Sequence, residues 1–219
     1  MNKPLTFLLS LTFLFLFSGS VYGGDYNEAF KELKLAAEQG DVEAQYNSGL
    51  TYANGDGVPQ DLEAALKWWK LAAEKGDADA QSDLGVMYQS GIGVPQDYKE
   101  ALKWNKLAGE QGKAKAQYNL GVMYAEGQGV TKDSKEGNKW YQLAAEQGNT
   151  KAQTNLGMSY FSGQGVTQDL KEAVKWFRLA AEQGDRFAQF KLGGMYLMGK
   201  GVPQNSEEAR KWMKLSAGQ

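Results

Sequence analysis

A block of sequence recurs along the chain with a constant period of 36 residues. One copy, residues 80–107, reads AQSDLGVMYQSGIGVPQDYKEALKWNKL. A fixed period in this range indicates a solenoid, because so short a unit cannot bury its own apolar face and must stack on its neighbours. Three positions mark the five copies: Gly49, Gly85, Gly121, Gly157 and Gly193; Tyr52, Tyr88, Tyr124, Tyr160 and Tyr196; Trp68, Trp104, Trp140, Trp176 and Trp212. We interpret these as the core between repeats.

Each unit predicts two helices joined by a glycine turn. The first helix follows a capping residue such as Asp77, whose side-chain oxygen accepts from the free amides of the first turn, and it stops at a glycine such as Gly91. The linker reads G-x-G-V-[PT]-[QK], and its two glycines predict a turn. The capping residues are Asp41, Asp77, Asn149 and Asp185, with Lys113 as the exception.

The second helix opens with Asp97 and Glu100, a spacing typical of a capping box. Apolar residues then recur at helical spacing, which predicts one buried stripe. The predicted stripe comprises Ala101, Trp104, Leu107 and Ala108.

The sequence therefore predicts an all-α protein. We expect an α/α right-handed superhelix, a solenoid of five 36-residue helix-turn-helix repeats preceded by one N-terminal half-repeat helix. The half-repeat spans 24–35, and the repeats span 36–71, 72–107, 108–143, 144–179 and 180–215.

Residues 1–23 have the pattern of a secretory signal peptide. Lys3 supplies a positive charge, Leu5–Phe17 is a run of apolar residues with Thr and Ser, and small residues follow. Cleavage after Ser20 or after Gly23 fits this pattern, and the alternative is an uncleaved anchor. We expect an exported protein, periplasmic or extracellular, with no membrane contact after cleavage.

The composition argues against catalysis. The chain has no Cys and no His, so it lacks the thiolate nucleophile, the zinc–sulfur site and the side chain that titrates nearest neutral pH. We predict no enzyme activity, no cofactor and no metal. The formal net charge of -2 gives no reason to expect nucleic-acid binding.

The repeated pattern resembles a known family. Read across Ala73–Trp104, A-x-x-G-x-x-x-A-Q-x-x-L-G-x-x-Y-x-x-G-x-G-V-x-x-D-x-x-x-A-x-x-W is similar to the Sel-one-like repeat, a relative of the tetratricopeptide repeat. The resemblance implies an α/α superhelix that acts as an adaptor, scaffold or regulator by binding other proteins, with bacterial members often exported. A cysteine-rich branch has been proposed to bind β-lactams, but this chain has no Cys.

By analogy with tetratricopeptide repeats, the first helices line a concave groove that binds a protein or an extended peptide. We predict that an asparagine row grips the peptide backbone through its amides while Tyr118, Met158 and Phe161 supply apolar contacts. The alternative is that these amides only face water. The predicted groove residues are Tyr46, Asn47, Asp83, Tyr118, Asn119, Asn155, Met158, Phe161, Phe190 and Lys191.

Charge is unevenly distributed along the chain. Residues 24–107 carry 15 acidic and 8 basic residues, whereas residues 108–219 carry 11 acidic and 15 basic ones. This asymmetry favours an oriented partner or salt-sensitive self-association, and drift among solvated charges explains it equally well. An open face of the last unit, with Met195, Leu197 and Met213, would serve a structural oligomer.

A hydrolase acting on cell-wall or β-lactam substrates is the alternative from another class. It would need a nucleophile and a base drawn from Ser, Lys, Glu and Asp alone. No single repeat carries a distinctive Ser–Lys cluster, so binding is the preferred interpretation.

Overall fold

The structure is a computed structural model that describes residues 23–218, and side-chain burial from residue 28 onward. The predicted signal peptide lies outside the described residues except for Gly23. Eleven helices fill the described part of the chain: α1 (Gly23–Glu38), α2 (Val42–Asn54), α3 (Leu62–Glu74), α4 (Ala78–Ser90), α5 (Tyr98–Glu110), α6 (Ala114–Glu126), α7 (Ser134–Glu146), α8 (Thr150–Ser162), α9 (Leu170–Glu182), α10 (Arg186–Met198) and α11 (Ser206–Ser216).

This helix order confirms the all-α solenoid. A single helix, α1, precedes five helix pairs that repeat every 36 residues, as the half-repeat and five full repeats predicted. The chain divides into two compact units, residues 1–68 and 69–219. In the first unit, Leu33, Ala37 and Ala44 form a small core against which Phe30 and Trp68 pack.

In the second unit, each helix packs mainly against the helices before and after it along the chain, from α4 to α11. First helices of neighbouring repeats also contact each other, α4 with α6 and α6 with α8. Side chains from different repeats therefore lie together on one surface.

The first helices begin and end as predicted. Asp77 accepts from the backbone N–H of Ala80, and Gly91 follows the helix with φ of 70°, a left-handed conformation that suits glycine. Lys113 makes no side-chain cap, also as predicted.

The prediction of a capping box at the second helix is correct for Asp97 but wrong for Glu100. Asp97 accepts from the amides of Lys99 and Glu100, but Glu100 does not return a bond to the Asp97 amide. That amide donates instead to the carbonyl oxygen of Tyr88 at 2.9 Å, which closes the linker onto the first helix. Oε2 of Glu100 accepts from Nε1 of Trp104 at 3.0 Å. The carboxylate therefore satisfies an indole rather than the helix end.

The buried stripe of the second helix is correct except for Leu107. Ala101, Trp104 and Ala108 are buried, but Leu107 is 39% exposed. At about 100° per residue, Leu107 lies roughly 120° around the helix from Ala101, whereas Ala108 returns to within roughly 20° of it. In the other repeats, the equivalent leucines are likewise exposed: Leu35, Leu71, Leu143, Leu179 and Leu215.

The repeated tryptophans and glycines contribute to the core between helices, which is otherwise rich in alanine and leucine. Trp104, Trp176 and Trp212 are each 6% exposed, while Trp68 and Trp140 are half-buried. In the second unit, each repeated glycine lies against the residue that follows the tryptophan of its own repeat. A Cβ at Gly85 would lie 2.6 Å from the Asn105 side chain, and one at Gly121 would lie 2.3 Å from the Tyr141 ring. Only glycine allows this approach.

The tyrosine row is less buried than predicted. Tyr196 is buried, but Tyr52, Tyr88, Tyr124 and Tyr160 are half-buried. The row therefore lies at the edge of the core.

A glutamine on each first helix of the second unit ties consecutive elements together. Nε2 of Gln81 donates to the carbonyl oxygen of Ala73 on α3 at 3.0 Å, and its Oε1 accepts from Nε2 of Gln111 at 2.8 Å. Both groups of the buried amide are thereby satisfied, as burial requires. The arrangement recurs at Gln117 with Gly109 and Gln147, and at Gln153 with Ala145 and Gln183.

Candidate partner-binding surface

The predicted groove residues of the second unit lie on its first helices. We call the group Asp83, Tyr118, Asn119, Asn155, Met158, Phe161, Phe190 and Lys191 the first-helix surface. Phe190 is exposed, and the other seven residues are half-buried. Ser82 and Thr154 occupy the position of Tyr118 in the neighbouring repeats, but both are buried. The residues at this repeat position therefore do not form a continuous line at the surface.

Tyr46 and Asn47 belong to the first unit. They lie on α2, and both are half-buried. Their side chains are accessible in part, as residues that touch a partner must be.

Opposite charges join the first helices α4 and α6. Nζ of Lys115 lies 2.8 Å from Oδ1 of Asp83, and Nζ of Lys113 lies 2.8 Å from Oδ2 of Asp79. Neither pair was predicted, because its two residues are not exactly one 36-residue period apart. The signal was present in the opposite charges 32 and 34 residues apart.

The Asn119 amide is partly engaged inside the protein. Its Nδ2 donates to Oδ1 of Asn105 at 3.2 Å. Asn105 is fully buried, at the position filled by Trp69, Tyr141, Phe177 and Met213 in the other repeats. Asn119 therefore pairs a buried polar group as well as reaching the surface.

Asn155 lies among tyrosine hydroxyls. Its side chain hydrogen-bonds with both Tyr118 and Tyr141, whose rings lie 6.0 Å apart. Burial raises the pKa of both hydroxyls above the ordinary tyrosine value, and the Asn155 hydrogen bond opposes this rise. The nearby Glu126 carboxylate raises the Tyr118 pKa further. These phenols stay neutral and can donate hydrogen bonds.

The surface becomes apolar and basic toward α10. Met158 and Phe161 pack against the core cluster of the last repeats. Nζ of Lys191 lies 5.8 Å from the ring centre of Phe161 and 5.1 Å from that of Phe187, distances at which a cation is attracted to an aromatic face. Phe161 and Lys191 belong to the predicted site, whereas Phe187 was not predicted.

The exposed apolar residues of the last repeat differ from the predicted set. Met195 is buried with Leu192 in a core cluster that includes residues of both α9 and α11. Leu197 is exposed, as predicted, and Met198 is exposed as well.

A depression distinct from the first-helix surface lies among α7, α8, α9 and the linker before α9. It has a volume of about 570 Å³ and a mixed polar lining that includes Asn138, Lys139, Gln142, Tyr160, Asp169 and Glu172. Nδ2 of Asn138 donates to the carbonyl oxygen of Gln164 at 2.7 Å. None of the predicted groove residues lines it.

The described residues 23–218 contain neither a candidate metal cluster nor a candidate membrane-spanning helix. No group of three or more acidic side chains there is arranged to hold a metal ion. No helix in the same range combines the length and the apolar character that crossing a bilayer requires.

Solved structures resemble this chain closely. The crystal structure of c5321, a protective antigen present in uropathogenic Escherichia coli strains and displaying an SLR fold, is 44% identical, with a TM-score of 0.84 over 87% of this chain and 41% of that chain. The structure of a Sel1 repeat protein from Oxalobacter formigenes is 38% identical, with a TM-score of 0.82 over 89% of this chain and 80% of that one.

A curated relative matches over a shorter stretch. DAP3-binding cell death enhancer 1 of Mus musculus is 43% identical over 54 residues, or 25% of this chain. The match spans only 11% of that relative's length, so it indicates a shared repeat and not a shared whole protein.

The Sel1 repeat family model matches six stretches: 7–41, 42–77, 78–113, 114–149, 150–185 and 186–219. These units begin at the first helix of each pair, whereas the predicted units began within the second helix. The family model counts one unit more than predicted because its first unit, 7–41, includes α1. Residues 7–22 of that unit lie outside the described residues. The matches cover nearly the whole chain, and the protein therefore belongs to the Sel1 repeat family.

Proposed function

We propose that this protein is an exported scaffold that binds a protein partner through an extended segment laid across the first-helix surface. The observation that carries the proposal is the alignment of accessible amide, phenol and aromatic side chains on neighbouring first helices. Tyr118, Asn155 and Phe161 exemplify the three types. Such a mixture supplies both hydrogen bonds to a peptide backbone and apolar contact area.

The family supports a binding role. Sel1-type and tetratricopeptide-like repeats generally mediate protein interactions. Of the similar proteins, one is a protective antigen and another is named for binding DAP3. We propose binding without catalysis, because the sequence has neither Cys nor His to serve as nucleophile or base.

Export is proposed from the sequence of residues 1–23. Its test is cell fractionation followed by mass spectrometry of the N-terminus. A mature protein that begins after Ser20 or Gly23 and resides outside the cytoplasm supports export. A full-length protein that remains in the cytoplasm contradicts it.

The binding surface is tested by site-specific photo-crosslinking. A photoreactive phenylalanine analogue replaces Phe190 on α10 in one variant, Tyr118 on α6 in a second and Leu107 on α5 in the control. Leu107 is accessible but belongs to a second helix. The captured protein is identified and purified, and its affinity for the scaffold is measured.

The proposal expects crosslinks from Phe190 and Tyr118 and none from Leu107. Crosslinks from Leu107 alone would move the interface to the second helices. Turnover of a substrate by the purified protein would contradict a purely binding role.

A further inference from the structure

The exposed side of α10 is unlike that of any other first helix. It carries a continuous set of residues that we call the α10 face: Phe187, Phe190, Lys191, Gly194, Leu197 and Met198. Four of these are large apolar side chains between 47% and 56% exposed. At about 100° per residue the set spans roughly 120° of the helix. The α10 face is therefore a single apolar stripe with one lysine in it.

The charge of the first helices changes sign along the chain. Within its bounds, α2 has one acidic residue, α4 has two, and α6 has one acidic and one basic residue. The next helix, α8, has Lys151 and no acidic residue, and α10 has Arg186 and Lys191 and no acidic residue. The apolar face thus lies where the first helices are most positive.

The lysines of the last two first helices also differ in their pairing. Lys113 and Lys115, at the start of α6, form ion pairs with Asp79 and Asp83 on α4. Among the described residues, no carboxylate lies within ion-pair distance of Lys151 or Lys191. The Lys191 ammonium instead lies over the rings of Phe161 and Phe187. Its charge remains available to an incoming carboxylate.

We propose that the α10 face binds an acidic peptide segment that also carries an aromatic or aliphatic anchor residue. The proposal rests on the proposed binding function and specifies the chemistry of the partner. A carboxylate of the peptide pairs with Lys191, and the anchor packs against Phe187 and Phe190. From Phe187 to Met198 the face is about 16 Å long. That length accommodates about five extended residues.

A second copy of this chain fits the α10 face less well. Two α10 faces packed together would bring Arg186 and Lys191 of each copy into the same interface, where like charges repel. Head-to-tail contact would require free carboxylates on an acidic first helix. The two on α4, Asp79 and Asp83, already pair with lysines.

The test uses a synthetic probe peptide of sequence EFEELE, fluorescently labelled, with binding followed by anisotropy. One control peptide replaces each glutamate with lysine, and another replaces the phenylalanine and leucine with serine. The protein variants are Lys191→Glu and Phe190→Ser. The matched control is Lys171→Glu on α9, which makes the same charge change at an exposed position outside the face.

We expect the acidic apolar peptide to bind and both control peptides to bind at least about tenfold more weakly. Lys191→Glu should weaken binding by about tenfold or more, with Lys171→Glu staying within about twofold of the parent. Added salt should reduce the affinity. Equal losses in Lys191→Glu and Lys171→Glu, or tight binding of the lysine peptide, would overturn the proposal.

Two further measurements separate the possible failures. Sedimentation velocity of the parent and Phe190→Ser tests the second copy as occupant, and a dimer lost in Phe190→Ser would overturn the peptide proposal. The crosslinking experiment then tests the site itself. Crosslinks from Phe190 to a basic or uncharged segment would retain the binding function and overturn the acidic partner, whereas no crosslinks from either surface position would contradict the binding function.

Discussion

Gly129 approaches the carbonyl oxygen of Tyr98 so closely that a Cβ at Gly129 would lie 2.3 Å from that oxygen. Tyr98 is the first residue of α5, so the second glycine of the linker packs against the second helix of the preceding repeat. Gly165 and Gly201 lie in the same way against Ser134 and Leu170. The linker glycine is therefore part of the contact between repeats as well as part of a turn.

Replacing Gly129 with alanine should destabilise the protein strongly. Its φ of 69° costs an alanine about 1–2 kcal/mol, and displacing the Tyr98 backbone adds about 1–3 kcal/mol. The matched control is Gly112→Ala, since Gly112 has φ of 90° but nothing within 4 Å of its Cβ position. Urea unfolding followed by circular dichroism compares the two. Equal destabilisation would show that the contact with Tyr98 contributes nothing.

Trp104 and Leu107 should differ sharply although they lie on the same helix. Trp104→Ala removes a buried indole and should lower the free energy of unfolding by about 3–5 kcal/mol. Leu107→Ala removes a partly exposed side chain and should cost less than about 1 kcal/mol. Thermal unfolding of both variants tests this. A large cost at Leu107 would mean that its exposed side is covered in solution.

Asn119→Ala should destabilise the fold in addition to any effect on binding. It leaves Oδ1 of the buried Asn105 without its donor, which costs about 1–3 kcal/mol. Asn105→Leu replaces the polar group by an apolar one of similar size, so in the Asn105→Leu background Asn119→Ala should cost little. A double-mutant cycle measures this coupling. Additive effects would show that the pair does not interact.

The stability of the protein should fall at alkaline pH through Tyr141. Because burial raises the Tyr141 pKa in the folded state above the unfolded value of about 10, the folded protein holds the phenolic proton more tightly. This contribution is present below about pH 10 and is lost as the pH rises toward the folded-state pKa. Urea unfolding at about pH 8 and about pH 11 measures the loss.

Tyr141→Phe is the matched variant, since phenylalanine occupies the equivalent position 177. It removes the titrating group while keeping the ring against Gly121. The parent should lose more stability than Tyr141→Phe over this pH interval. Equal losses would assign the alkaline effect to other groups.

The sequence predicted well the features that recur in every repeat. It predicted less well the contacts and side chains that differ from one repeat to the next. Helix pairs, caps and buried glycines follow from short-range patterns that recur five times. The links between repeats do not, because they join non-equivalent positions: Asn119 meets Asn105, 14 residues away, and Lys115 meets Asp83, 32 residues away. Leu107 was wrongly predicted to be buried because a leucine recurs at its position as regularly as the core residues do. A period identifies equivalent positions but does not say which side of the helix they occupy.

The α10 face shows the same limit. Phe190 and Lys191 were predicted from their place in the repeat, but Phe187 and Met198 were not. In the other repeats the position of Phe187 carries Glu43, Asp79, Lys115 or Lys151, all charged. A single apolar residue at an otherwise charged position was the available signal.

The glutamine hydrogen bonds also bear on how such a chain changes in length. Gln117 takes its acceptor from Gly109, eight residues earlier, and its donor from Gln147, thirty residues later. Each such set is complete within one repeat and the end of the one before. Duplicating or deleting a whole 36-residue unit would therefore leave no buried amide unpaired at the new junction. Recombination between internal copies could lengthen or shorten the binding surface in single steps without first destabilising the fold.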